Sequence, residues 1–265
     1  MWIDSHVNLH GEKFTEDLDD VMARAKAANV SHMLTICCKL SEFDEVFAVA
    51  DRYDNIWCSV GTHPHEARHN PEITASQLIE KSHHPKVIGI GETGLDYHYN
   101  YSDKASQIHN FAAHIEAARK TQLPLIIHSR DADDDMGDML EAEYKNGAFP
   151  MLLHCFTAGP DLARRLDKLD AYFSLSGILT FKKAQDIRDI AKTMPDERIM
   201  IETDCPYLAP VPYRGRRNEP AFVPYVGACL AEVKGWSIDD TAQKTTEAFF
   251  ALFQKTKVQI ESQNT

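Results

Sequence analysis

Short apolar runs alternate with longer amphipathic stretches along most of the chain. The runs predict eight strands, at residues 2–7, 32–37, 56–60, 87–91, 125–128, 151–154, 172–175 and 199–202. Apolar residues at helical spacing predict helices at 17–28, 42–52, 105–120, 160–168 and 184–193, and two more at 221–234 and 238–253. Strands that alternate with helices in this number favour an α/β fold, a (β/α)₈ TIM barrel.

We expect a single domain over residues 1–265, with a polar and frayed tail from about 254 to 265. A doubly wound open sheet is the alternative fold. It is disfavoured because no Gly-x-Gly-x-x-Gly motif follows the first predicted strand.

Composition narrows the class of protein. Apolar residues make up 43% of the chain and charged residues 26%, as in an ordinary globular protein. No apolar window is long enough to span a membrane, and the first residues lack a signal-peptide pattern, so we expect a cytoplasmic protein. The six cysteines show no Cys-x-x-Cys spacing and are expected to be reduced. A net charge of −12 argues against nucleic-acid binding by bulk charge, but leaves room for a nuclease with local positive charge.

Six of the eight predicted strands end in histidine, glutamate or aspartate. The carboxyl ends of barrel strands meet at one mouth, so these residues are expected to be neighbours. Imidazole and carboxylate groups together bind Zn²⁺, Mn²⁺ or a related ion, and burying them without a cation is unfavourable. The predicted cluster contains His6, His63, His65, Glu92, His128, His154, Glu202 and Asp204.

The remaining eight histidines fall in predicted helices or loops, where we expect them to lie on the surface. They are His10, His32, His69, His83, His84, His98, His109 and His114.

Seven short motifs give the chain a resemblance to the TatD family of metal-dependent deoxyribonucleases. The motifs are DSH at 4–6, GTHPH at 61–65, GETGLD at 91–96, HSRD at 128–131, HCF at 154–156, IETDCPYL at 201–208 and RGRRNEP at 214–220. Each is weak alone, but seven in family order across residues 4–220 are specific.

The resemblance implies a barrel of the metallo-dependent hydrolase type with two divalent ions, Mg²⁺ or Mn²⁺ first and Zn²⁺ as a further possibility. By position, Glu92 would bridge both ions, His128 and His154 would hold one, and His6 with Asp204 would hold the other. Many relatives carry His-x-His at the first strand, whereas this chain has Asn8 at the second position. Asn8 offers a carbonyl oxygen in place of an imidazole, which weakens the His6 side of the site.

Our hypothesis for catalysis gives Asp204 the task of orienting or deprotonating the attacking water. His63 and His65 would contact the scissile phosphate or protonate the leaving oxygen, although His65 could instead hold the loop after Pro64. Glu202, counted on the substrate side, could equally fix an imidazole through its ring N–H, or pair with Arg130.

Substrate contacts are predicted for a basic run and an aromatic run. Arg214, Arg216 and Arg217 could bind phosphates or form a solvated surface run. Tyr97 begins the aromatic segment 97–101, which could stack on bases or pack the barrel rim. The interpretation is a monomeric deoxyribonuclease, a 3′–5′ exonuclease that prefers single-stranded DNA ends, with RNA as a possible substrate.

Two alternatives stay open. A metal-dependent amidohydrolase or lactonase of small molecules could use the same barrel, because the fold does not fix the substrate. A non-catalytic protein that has lost a metal ion is favoured only by Asn8.

Overall fold

In a computed structural model that describes residues 1–257, eight parallel strands alternate with nine α-helices; residues 258–265, most of the expected frayed tail, lie outside the described residues. The strands are β1 (Trp2–Val7), β2 (Val30–Thr35), β3 (Ile56–Val60), β4 (Val87–Asp96), β5 (Leu125–Arg130), β6 (Met151–Leu153), β7 (Tyr172–Leu175) and β8 (Ile199–Ile201). The helices are α1 (Leu18–Ala27), α2 (Phe43–Arg52), α3 (Ala75–Ser82), α4 (Lys104–Thr121), α5 (Asp133–Lys145), α6 (Pro160–Asp167), α7 (Gln185–Thr193), α8 (Val223–Lys234) and α9 (Ile238–Leu252).

The strands follow one another in sequence order, each parallel to its neighbour, from β1 to β8. The seam between the first and last strands is joined by a bridge between Val7 and Cys205. The backbone N–H of Asp204 donates to the carbonyl of His6 at 3.0 Å, and that of Asn8 donates to the carbonyl of Cys205 at 2.9 Å. The predicted (β/α)₈ barrel is therefore confirmed, and the doubly wound alternative, which needs a different strand order, is excluded.

Successive side chains along each strand point alternately into and out of the barrel, so the barrel has an inner and an outer apolar surface. The second residue of six strands lies in one inner cluster, together with Phe249 and Phe253 at the end of α9. These inner residues are Ile3, Trp57, Ile88, Ile126, Leu152 and Met200. Helix α9 therefore covers the amino-terminal end of the barrel, and the carboxyl-terminal end is left for the polar residues that the sequence analysis singled out.

Strand β4 is longer than its apolar pattern predicted. The pattern ended at Gly91, but the strand continues through Glu92 to Asp96. A side chain at Gly91 would place its Cβ 2.5 Å from the carbonyl oxygen of Ile126, and one at Gly61 would come within 2.4 Å of the Gly91 backbone. Glycine thus lets β3, β4 and β5 approach closely, and this approach places Glu92 inside the barrel mouth.

Helices α3 and α5 were not singled out by the sequence pattern. Helix α5 begins with three aspartates, residues 133–135, and buries only Met136, Gly137 and Leu140. So few core positions leave a weak apolar periodicity.

His114 is buried, so its predicted surface position is wrong. Its Nδ1 donates to the carbonyl of Asn110 at 2.8 Å, and its Nε2 accepts from the backbone N–H of Thr62 at 3.0 Å. Both ring nitrogens are satisfied when the ring is neutral, which makes burial tolerable.

The chain just after α9 is packed. Thr256 is buried, and the ammonium of Lys255 donates to the carbonyls of Ser82, His84 and Val87 at 2.7–2.8 Å. Fraying therefore does not begin at residue 254, where we expected it. Within residues 1–257 no helix is long and apolar enough to cross a membrane.

Candidate metal centre

One carboxylate lies at the centre of the candidate site. Oε1 of Glu92 is 2.7 Å from Nε2 of His154, 3.3 Å from Nδ1 of His128 and 3.4 Å from Nε2 of His63. Its Oε2 is 3.3 Å from Nε2 of His6. Burial raises the pKa of Glu92, but the surrounding imidazoles outweigh burial and hold it well below its usual value. Residues far apart in sequence therefore converge on an ionised Glu92.

The donor atoms fall into two groups that share Glu92. His6, Glu92 and His154 form one group, and His63, Glu92 and His128 form the other, with the donor atoms of each group within 4.8 Å of one another. This division differs from the one that the resemblance implied, because His154 lies with His6 and His63 lies with His128. Assignment of each ion to its ligands stays a prediction.

Buried nitrogens without partners show that these residues fit a cation. Both ring nitrogens of His6 and Nε2 of His154 are buried and have no hydrogen-bond partner of suitable geometry in the described part of the chain. A buried nitrogen without a partner is destabilising. Imidazole and carboxylate ligands suit Zn²⁺ and related divalent ions, and such an ion would satisfy these atoms.

Asp204 lies beside the His6 group. Its Oδ1 is 3.7 Å from Nε2 of His6 and 3.5 Å from the amide nitrogen of Asn8. Burial raises the pKa of Asp204 to about 6, although His6 and His154 act in the opposite direction. The structure thus brings Asp204 and His6 together, as the sequence predicted.

Asn8 presents its two amide atoms to different neighbours. The nitrogen donates to the carbonyl of Cys205 at 3.1 Å, and the oxygen is 3.6 Å from the thiol sulfur of Cys38. That thiol also contacts Oε2 of Glu92 at 3.4 Å. The Asn8 oxygen that we expected to face a metal ion therefore faces a thiol, and Cys38 is a site neighbour that the sequence analysis missed.

Glu202 lies behind His154 and is fully buried. Its Oε1 accepts from Nδ1 of His154 at 3.2 Å, and its Oε2 accepts from the hydroxyl of Ser174. Glu202 does not line the cavity and forms no ion pair with Arg130. The predictions of a substrate contact and of an ion pair with Arg130 are therefore wrong. The carboxylate fixes the ring so that Nε2 of His154 faces Glu92.

Asp96 organises the opposite side of the site and was missed as a site residue. Its Oδ2 is 2.8 Å from Nε2 of His65 and 3.0 Å from Nε2 of His128, and its Oδ1 accepts two backbone N–H groups of the following loop. Burial raises the pKa of Asp96, but these hydrogen bonds, first those from His128 and His65, hold it well below its usual value. His128 is thereby held between two carboxylates, with Nδ1 left for Glu92. The sequence feature that could have predicted this role is the four-residue spacing between Glu92 and Asp96, which places both carboxylates on the same face of the strand.

The cluster forms the floor of an open cavity of about 1400 Å³ at the carboxyl end of the barrel. Tyr97 lies on its wall, with its hydroxyl donating to Asp135 at 2.7 Å, while Tyr99 and Tyr101 are about half exposed. The basic residues on the wall, among the residues described, are Lys13, Lys39, Lys104 and Arg130.

The predicted basic run lies outside this cavity wall. Arg217 forms two hydrogen bonds of 2.8 and 2.6 Å with the carboxylate of Asp17. Arg214 and Arg216 lie over aromatic rings, 3.9 and 5.9 Å from the ring centroids. Each of these arginines therefore contacts another side chain of the protein and remains exposed, away from the cavity wall.

Comparison with known proteins identifies the family of the chain. The family model for TatD-related DNases matches residues 3–254. An uncharacterized metal-dependent hydrolase of Bacillus subtilis, YabD, is 38% identical, with 96% of this chain and 99% of that protein covered. The 3′-5′ ssDNA/RNA exonuclease TatD of Cronobacter sakazakii is 34% identical over 92% of this chain and 94% of that protein. The solved structure of the TatD homologue YJJV from Escherichia coli superposes with a TM-score of 0.87 at 25% identity, over 96% of this chain and 98% of that one.

These matches span nearly the whole chain. The Bacillus relative is named as a metal-dependent hydrolase and the Cronobacter relative as an exonuclease. The shared-carboxylate cluster at the carboxyl end of the barrel agrees with that class of enzyme. The chain belongs to the TatD family of metal-dependent hydrolases.

Proposed function

We propose that this protein is a metal-dependent nuclease that hydrolyses phosphodiester bonds at the ends of single-stranded DNA, in the 3′–5′ direction. The observation that carries the proposal is the two sets of candidate metal ligands, each with two histidines, that share Glu92 at the floor of an open cavity. The Cronobacter relative, named as a 3′-5′ ssDNA/RNA exonuclease, supports both the polarity and the class of substrate, and extends the proposal to RNA.

Two divalent ions are part of the proposal. His6, Glu92 and His154 would hold one, and His63, Glu92 and His128 the other. Mg²⁺ or Mn²⁺ agrees with the resemblance, while the imidazole-rich ligand set also suits Zn²⁺. When bound, such ions polarise phosphate oxygens and lower the pKa of water.

The protein's own residues then manage protons. In hydrolysis the oxygen of water forms a bond to phosphorus, and the bond from phosphorus to the leaving 3′ oxygen breaks. Asp204, next to His6, accepts the proton that water releases. His65, oriented by Asp96, lies on the cavity wall and donates a proton to the leaving oxygen.

The shape and charge of the cavity favour a strand end over a duplex. The cavity opens at the carboxyl end of the barrel, and α9 packs against the inner cluster at the other end. Seven acidic residues besides Glu92 and Asp204 line it, against four basic ones. A long polyanion is repelled by such a wall, whereas a single flexible end can enter between the acidic groups.

The test is digestion of a labelled single-stranded oligonucleotide by metal-stripped protein, with Mg²⁺, Mn²⁺ or Zn²⁺ added back. We expect metal-dependent shortening that is lost in Glu92→Ala, because both ligand groups lose their shared carboxylate. A 5′ label reports 3′–5′ digestion as a ladder of shortened products. No cleavage with any metal by a folded, metal-bound protein would reject the proposal.

The acidic wall also favours a second candidate, a small-molecule amidohydrolase or lactonase, because a neutral substrate is not repelled. Neutral lactones and amides are the discriminating substrates. Metal-dependent turnover of these, in the absence of oligonucleotide cleavage, would establish the second candidate instead.

A further inference from the structure

Arg130 lies at the carboxyl end of β5, two residues beyond His128. Ile126, His128 and Arg130 occupy every second position of the strand, so their side chains lie on the same strand face. Ile126 belongs to the inner cluster, His128 approaches Glu92, and Arg130 lines the cavity about 6–7 Å further toward its mouth, by the rise of a β-strand. The strand therefore sets a guanidinium at a fixed distance above the candidate metal ligands.

The guanidinium of Arg130 has no ion pair and no hydrogen bond within residues 1–257. Several other arginines form ion pairs, among them Arg24 with Glu219, Arg165 with Glu141 and Arg217 with Asp17. Arg130 is the one arginine on the cavity wall in the described part of the protein. An unpaired, half-buried arginine in so acidic a chain requires a physical explanation, because nearby carboxylates are abundant.

Three of the four carboxylates that follow Arg130 in sequence, those of Asp131, Asp133 and Asp135, are held by other partners. Asp131 is 2.8 Å from Nδ1 of His98, and Asp133 accepts the backbone N–H of Gly159 at 2.7 Å. Asp135 is engaged by Tyr97 and Lys104. These contacts engage three of the neighbouring acids. The fourth, Asp134, lies on the cavity wall without an ion pair to Arg130 in the described part of the chain, so the guanidinium N–H groups stay available for an anion.

The guanidinium of Arg130 lies over the ring of Tyr99. The Cζ atom of Arg130 lies 4.7 Å from the centroid of the Tyr99 ring, whose plane is within 2° of that of Tyr101. A cation–π contact of this kind restrains the arginine without using its N–H donors. The planar fork of donors is therefore suited to two parallel hydrogen bonds with a phosphate.

We propose that Arg130, restrained by Tyr99, binds one phosphate of the nucleic-acid strand next to the scissile bond and sets how far the strand enters. The inference rests on the proposed nuclease function and deepens it. It gives Arg130 the task that the sequence analysis assigned to Arg214, Arg216 and Arg217. By pairing with one phosphate, Arg130 offsets the repulsion between the acidic cavity wall and an anionic strand.

The first test is steady-state cleavage of a single-stranded oligonucleotide by the metal-loaded protein. Arg130→Gln should raise KM about 10- to 100-fold, the usual effect of losing hydrogen bonds between charged groups. Arg130→Lys should recover part of the loss, because it keeps the charge without the fork. Arg52→Gln is the matched control, since it removes an equal charge from the end of α2 and should leave KM unchanged.

The second test separates phosphate binding from packing. Single methylphosphonate linkages, which are neutral, are placed at successive positions from the cleaved end of the oligonucleotide. Wild-type protein should lose affinity at one position, and Arg130→Gln should be insensitive at that position alone. If the variant keeps the wild-type position dependence, Arg130 only packs on Tyr99 and the inference is wrong.

Failure of the nuclease proposal gives a different result. If the wild-type protein cleaves no oligonucleotide, calorimetric binding of the same oligonucleotide and of inorganic phosphate is compared between wild type and Arg130→Gln. Binding that depends on Arg130 without cleavage keeps the phosphate site and rejects the nuclease. Absence of any Arg130-dependent binding overturns the phosphate site.

Discussion

The imidazole of His6 lies flat against that of His154, with ring centroids 3.9 Å apart and planes 11° from parallel. The two Nε2 atoms approach opposite oxygens of Glu92, at 3.3 and 2.7 Å. Stacked rings with buried nitrogens directed at one carboxylate are the arrangement that a divalent ion would stabilise.

Removal of metal should lower the melting temperature of the protein. An ion at 100 times its Kd stabilises the folded state by about 2.7 kcal/mol. Glu92→Gln should lose most of the metal-dependent rise in melting temperature, although the substitution keeps the size and shape of the side chain. Thermal melts of stripped protein, with and without Mn²⁺ or Zn²⁺, measure the effect; equal melting temperatures in wild type would contradict the assignment of a metal site.

Glu202→Ala should weaken metal binding about 10- to 100-fold, because a carboxylate behind a ligating histidine fixes its ring and raises its basicity. Glu202→Gln is the matched variant, since its amide oxygen can still accept the hydrogen bond from Nδ1 of His154. Competition with a chelator of known affinity gives both values. Equal affinities in all three proteins would show that this hydrogen bond does not tune the site.

His114 should make folding stability fall in acid. Burial lowers its pKa to about 4 in the folded protein, although the hydrogen bond to the Asn110 carbonyl acts in the opposite direction. The unfolded chain therefore takes up a proton near pH 6.5 that the folded protein refuses. Between pH 7.5 and pH 5.0 this difference removes about 2 kcal/mol of unfolding free energy.

The measurement is urea unfolding of stripped wild type and His114→Gln at both pH values. The variant can still accept the N–H of Thr62, and it should lose about 2 kcal/mol less on acidification than wild type. An equal loss in the two proteins would mean that His114 is protonated in the fold.

Arg217→Ala should lower stability without changing substrate binding. Its ion pair with Asp17 is about two-thirds buried on each side, so its removal should cost about 1 kcal/mol, including the loss of packing on Phe14. Cleavage assays should give an unchanged KM. A raised KM with unchanged stability would return Arg217 to the phosphate contacts that the sequence predicted.

The fold was readable from sequence because the barrel depends on a repeated pattern. Each strand carries its own apolar run, and strand order follows chain order, so local patterns were sufficient. The ends of β1, β5 and β6 were also readable, since a single histidine stands out against an apolar strand. Glu92 was found for the same reason.

The rest depended on contacts that no local pattern records. Asp96 was missed because the glycines in β4 interrupt its apolar run, so the predicted strand stopped before it. The arginines at 214–217 were predicted to contact phosphate because three lie within four residues, yet none of them lines the cavity. Arg130 is a single basic residue in sequence, and its availability for an anion depends on the partners that hold most of the nearby aspartates in the fold.

The seam of the barrel has a consequence for when the site can exist. The backbone hydrogen bonds that join His6 to Asp204 and Asn8 to Cys205 also close the sheet. During synthesis His6 emerges first, but it has no Asp204 to meet until nearly two hundred further residues have followed. A barrel in which the first and last strands are not joined therefore lacks this half of the site. Tight binding of a metal ion there indicates that these two strands have come together.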